Sequence, residues 1–178
     1  MEYIKIFAQI LGIGAFIFSA VSFQAKSFKT INTLKIISQI MFTVQYLMLG
    51  AFTAMFMNMF SFLRGFVYVD LEKKKKSTVL AQIIFSLVFI LFGILTWDGI
   101  IGIFAIMGTV LQTIAFGNKK PANIRLINLP TCFMWMAYNL HYMSVGGLLS
   151  DVFSLVSIVI GILRLDIPEI KNKFKKKA

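Results

Sequence analysis

Apolar runs follow one another along this chain with only short polar breaks, and this constrains the fold more than any motif does. Runs over residues 4–24, 31–49, 51–69, 78–97, 99–117, 124–143 and 145–165 each come to about 20 residues, the length a helix needs to cross a bilayer. The breaks are the polar segments QAKSFKT, LEKKKKS and GNKKPAN and the tight turns at Gly50, Trp97-Asp98-Gly99 and Met143-Ser144. Only 14% of the residues are charged, against about a quarter in soluble domains. The expectation is an all-α integral membrane protein with seven transmembrane helices.

The net charge of +11 would suit a nucleic-acid binder if the cations formed one patch. They fall instead by loop. With the N-terminus on one side of the membrane, every basic residue except Lys5 falls to the other side. These include Lys26, Lys29, Lys35, Arg64, Lys73 to Lys76, Lys119, Lys120, Arg125, Arg164 and the C-terminal lysines. The positive-inside rule makes that side cytoplasmic. The expected topology is an inner (plasma) membrane protein with its N-terminus outside and its C-terminus inside. The basic runs read as anchors for anionic lipid headgroups, with no nucleic-acid partner. Cys132 is the sole cysteine and His141 the sole histidine, so neither a disulfide nor a usual zinc spacing is available. No cofactor is expected. The first run is too long for the apolar core of a signal peptide.

The chain also matches itself. A shift of 93 residues aligns Phe23 with Phe116, Lys26 with Lys119, Ile31 with Ile124, Met41 with Met134, Leu47 with Leu140, Phe60 with Phe153 and Ser61 with Ser154. Both first loops are basic, and both second loops are short and uncharged. The architecture expected is a 3+1+3 parallel repeat: a three-helix bundle over 1–70, a linker helix over 71–98, a second bundle over 99–168 and a basic cytoplasmic tail over 169–178. An odd-numbered bundle repeated directly would be inverted, and the extra span restores its orientation. Such repeats place substrate sites at their interface.

Asp151 is the one charged residue in VGGLLSDVFSLVSIVIGIL, residues 145–163. A carboxylate at the centre of a spanning helix costs about 2.5–3.5 kcal/mol on insertion scales. Such groups usually face the bundle interior and mark a ligand or ion path. Alternatively, the helix starts later and Asp151 caps its N-terminus from the headgroup zone. Against this, the repeat sets Asn58 opposite Asp151, and each is followed at i+3 by a serine, Ser61 and Ser154, on the same helical face. Ser157 extends that face. The sixth run carries Asn128, Thr131, Trp135 and Asn139 on one stripe, and Trp135 aligns with Phe42. Flat rings beside polar groups suit a small polar solute, although aromatics in membrane helices are more often packing. Pro130 removes a helix hydrogen bond and is either a gating hinge or a static kink.

Trp135-x-x-Tyr138 followed by Ser150-Asp151 resembles the sixth and seventh helices of SWEET sugar facilitators, where a Trp-x-x-Tyr precedes a Pro-Asn. SFQAKSFKT resembles the PQ-loop pattern. Taken together the chain most closely resembles the YgjV-like family of bacterial inner-membrane proteins, which is similar to these transporters. The resemblance implies a SWEET-like fold and a uniporter working by alternating access, with Asn58, Asp151, Ser61, Ser154, Asn128 and Asn139 polar and Phe42 and Trp135 stacking. Phe23 replaces the PQ proline and Asp151 the expected asparagine, so sugar carries over least. A carboxylate there would favour a cation or a proton. A non-transporting receptor or sensor on the same scaffold is the alternative. No catalytic set shares a site, so enzymatic activity is not expected.

Overall fold

The computed structural model describes residues 2–24, 28–118 and 121–168. It is built of α1 (Glu2–Gln24), α2 (Phe28–Leu49), α3 (Phe52–Lys73), α4 (Val79–Leu95), α5 (Ile101–Phe116), α6 (Pro121–His141) and α7 (Val145–Gly161), the last continued by a π-helical turn over Ile162–Asp166. Each expected run is a helix. Three stretches are long and apolar enough to cross a membrane: Tyr3–Val21, Phe52–Lys73 and Val145–Arg164. Thr33–Leu49, Val79–Leu95 and Ile101–Phe116 are apolar but shorter, and α6 is interrupted by Asn123, Arg125, Asn128 and Asn139.

The distribution of side chains is the reverse of a soluble protein's. Ile, Leu and Phe crowd the exterior, as with Ile10, Leu80, Ile83, Leu87 and Val156. Gln45, Thr53, Arg64, Thr109, Thr113, Asn128, Thr131 and Asn139 are buried. Lipid tails are as apolar as leucine, so apolar side chains gain nothing by turning inward. Close packing and hydrogen bonds hold such a bundle instead. Most of these buried polar groups are partnered, several by their own helix: Thr109 Oγ1 donates to Ala105 O at 2.7 Å and Thr113 Oγ1 to Thr109 O at 2.8 Å, while the Gln45 amide has no hydrogen-bond partner among the described residues.

Contacts between termini show that the helices run up and down. At one end, Gln9 of α1 donates to Met143 O at 2.8 Å and accepts from Val145 N at 3.0 Å. The α4–α5 turn reaches the same end, where Asp98 Oδ2 accepts from Tyr138 OH and Tyr142 OH at 2.6 and 2.9 Å. At the opposite end, Thr78 donates to Gly117 O at 2.7 Å, and Arg125 pairs with Asp166. The π-helical turn carries Asp166 to that pairing. A regular continuation of α7 was the sequence expectation.

The neighbours of each helix follow a pattern. Helix α1 packs on α2 and α7, α5 packs on α6 and α3, and α4 lies against α3 and α5. The α1–α7 seam is closest at Gly146, where a Cβ would lie 2.0 Å from the carbonyl carbon of Gly12, so only glycine fits. The α2 and α6 termini share one turn geometry. Gly50 N donates to Leu47 O at 3.2 Å and Ala51 N to Tyr46 O at 2.9 Å; Met143 N donates to Leu140 O and Ser144 N to Asn139 O at the same two lengths. Both are Schellman endings, with φ +74° at Gly50 and +51° at Met143.

Candidate functional site

A cavity of about 410 Å³ runs between the helices. Phe42 of α2, Asn58 and Ser61 of α3, Asn128, Trp135 and Asn139 of α6, and Asp151 and Ser154 of α7 all line it. The structure therefore brings all eight sequence-derived site residues to one space. Ser157 and Thr131 line it too. Pro130 does not; it lies inside α6 on an exposed face.

The position of Asp151 is decided by the helix start. Ser144 is the N-cap of α7, its hydroxyl accepting from Gly147 N at 3.3 Å. A better cap than a headgroup-zone Asp151 is thus already in place, and the capping alternative falls. Asp151 sits six residues inside, about 9 Å along the axis, with Oδ2 accepting from Asn139 Nδ2 at 2.7 Å. Asn139 Oδ1 in turn accepts from Tyr46 OH at 2.7 Å. This chain of bonds links α2, α6 and α7. Asn58 and Asn128 are satisfied within their own helices, donating to Ala54 O at 3.0 Å and Ile124 O at 2.9 Å.

The aromatic arrangement differs from expectation. Phe42 and Trp135 are not simply paired across a gap. Tyr46 lies between them, stacked on Phe42 with centroids 6.0 Å apart and 6.4 Å from Trp135. Trp135 is buried, and its Nε1 has no hydrogen-bond partner among the described residues. Tyr46 gave no signal in the sequence because a tyrosine three residues before a turn reads as a membrane-interface residue.

The sequence also missed a basic end to the cavity. Lys35, Arg64 and Arg125 all line it. The positive-inside reading groups them with the loop charges, although Lys35 and Arg64 already fall inside the expected runs 31–49 and 51–69, and the structure holds both within α2 and α3. Arg64 is buried, its Nη1 donating to Thr113 Oγ1 at 2.6 Å and its guanidinium carbon 5.6 Å from the ring centroids of Phe89 and Phe116. Lys35 Nζ is 5.9 Å from the same Phe116 ring. Arg125 is neutralised by Asp166, with Nε donating to Oδ2 at 2.9 Å. Its guanidinium holds the Asp166 carboxyl below the usual carboxylate range. A second space of about 600 Å³ shares Lys35, Gln39, Ser61, Arg64, Phe116 and Ile124 with the first and continues to Glu72, Lys75 and Lys76. The PQ-like segment SFQAKSFKT lies partly outside the described residues, as do Lys26, Lys119, Lys120 and the C-terminal lysines.

Comparison with curated proteins and with solved structures finds no match. A family profile, Imp-YgjV, described as a bacterial inner membrane protein, matches residues 6–168. That span takes in α2 to α7, all of α1 but its first four residues, and every residue of the cavity, so the chain belongs to the Imp-YgjV family of bacterial inner membrane proteins.

Proposed function

We propose that the protein is a SWEET-like carrier for a small polar solute, spanning the membrane seven times as two three-helix bundles joined by α4. The observation that carries this reading is the cavity that Asn58 and Asp151 both line, with Ser61 and Ser154 beside them. An internal polar space of this kind, in a bundle whose exterior is apolar, has the character of a solute path. The repeat reading draws support from the twin Schellman endings, from the bond between Tyr46 and Asn139 at a separation of 93, and from the swapped seams of α1 on α7 and α5 on α3. Helix α4 contributes no lining residue among those described, as befits a linker.

In this reading the bundles rock against each other and expose the cavity alternately. The Tyr46–Asn139–Asp151 chain and the Asp98 cluster close the end carrying the N-terminus. The Lys75–Lys76 end is the one reached through the second space. The positive-inside rule makes that end cytoplasmic, so the conformer is closed to the outside. Liposomes reconstituted with purified protein test the reading with a solute panel. Flux is expected, and Asp151→Ala should lower it at least tenfold. Equal flux through Asp151→Ala removes the site, and binding with no flux favours the sensor.

A further inference from the structure

Arg64 is a buried cation inside an apolar bundle. An arginine serving as a headgroup anchor extends its guanidinium to the interface; this one is only 4% exposed. A buried charge is costly unless a group of opposite sign meets it. Among the described residues no carboxylate pairs with Arg64; it has one neutral hydroxyl, on Thr113, and two ring faces. Lys35 approaches one of those rings from a different helix, so two cations converge where the two spaces join. Ser61 lies one turn before Arg64, on the same face, and Gln39 lines the same junction. Arg125 is already neutralised by Asp166. Asp151 is bonded to Asn139 and lies at the level of the other end of the cavity, near the α7 N-terminus.

We propose that Lys35 and Arg64, with Ser61 and Gln39, form an anion site that takes the phosphate or carboxylate of an anionic solute. A guanidinium offers several donors in a plane and matches either group. The ammonium adds a second positive charge, and the hydroxyl and amide supply neutral hydrogen bonds. The solute half of the proposal rests on the carrier reading; the anion site does not. A phosphate could also belong to a lipid headgroup reaching in from the basic face, and the test separates the two sources.

Trp135 borders the cavity, and Trp97 is the only other tryptophan. Trp97→Phe therefore leaves one fluorescent reporter. In phosphatidylcholine nanodiscs at constant ionic strength, inorganic phosphate, glucose 6-phosphate and succinate are titrated beside their neutral counterparts, glucose and succinamide. Anions are expected to change Trp135 emission at concentrations at least tenfold below the neutral compounds. Arg64→Gln should weaken that response tenfold or more and Arg64→Lys less. Lys35→Gln should also weaken it, giving a second reading if Arg64→Gln does not fold. Anions and neutral compounds acting alike, no response to any anion at millimolar concentration, or folded Arg64→Gln and Lys35→Gln binding as the parent does would each overturn the site. A response abolished by phosphatidylglycerol in the nanodisc keeps the anion site but gives it to a headgroup; one that persists gives it to a soluble anion. Anion binding without flux in liposomes upholds the site and removes the carrier.

Discussion

Met143 and Gly50 answer the same geometric demand with different residues. Both sit at the left-handed position that ends a helix, and only one is glycine. The left-handed region costs an L side chain about 1–2 kcal/mol, partly offset in any glycine replacement by the greater freedom of the unfolded chain. Met143 is 69% exposed, so no packing is lost with its side chain. Met143→Gly is expected to stabilise the protein by about 0.5–1 kcal/mol, and Gly50→Ala to destabilise it by about 1 kcal/mol. Unfolding of the purified variants in detergent measures both. The residues legible in the sequence were those that break an apolar run, above all Asp151 and Asn58, because a polar group in lipid needs a reason. Tyr46, Lys35 and Arg64 were illegible for the opposite reason. Tyrosine and cations are ordinary near membrane interfaces, and only the burial of Tyr46 and Arg64 and the place of Lys35 on the cavity wall separate them from that background.

Runs of apolar residues located seven helices because hydropathy follows the apolar solvent around them. Their ends were less visible. The third run is expected to end at residue 69, yet α3 continues four residues further to Lys73. The π-helical turn after α7 had no signal, since it depends on a partner, Arg125, that lies 41 residues earlier. That pair yields a pH prediction. The carboxyl of Asp166 is held below its ordinary value, first by the hydrogen bond from Arg125. A depressed acid contributes stability above its unfolded pKa of about 3.9 and loses it as pH falls through the lower folded value. Asp166→Asn should therefore melt below the parent protein at neutral pH. The gap between them should begin to narrow as the pH falls below about 4, and close only below the lowered folded value, where the parent's carboxyl is protonated as well. A constant gap across that range would mean the pair is held by packing rather than charge.

For the molecule as a whole, the contacts of Gln9, Asp98, Thr78 and Arg125 set the α6–α7 and α4–α5 turns at one end and the α3–α4 and α5–α6 turns at the other, and the expected topology puts the second end in the cytoplasm. A green fluorescent protein fused after Ala178 should fluoresce, as it does only in the cytoplasm, while alkaline phosphatase fused there should stay inactive. The reverse pair of results would turn the molecule over and place the basic end of the cavity outside. The internal likeness was faint as letters, because lipid-facing positions accept any apolar residue and erase identity. The proposed repeat rests instead on geometry, the paired turns at Gly50 and Met143 and the seams of α1 on α7 and α3 on α5. Cys132, the lone thiol, is buried against this same cavity. In the proposed carrier, an opening of the outer end would change the access of water to that sulfur, and its rate of labelling by a water-soluble maleimide would report the change without adding a residue.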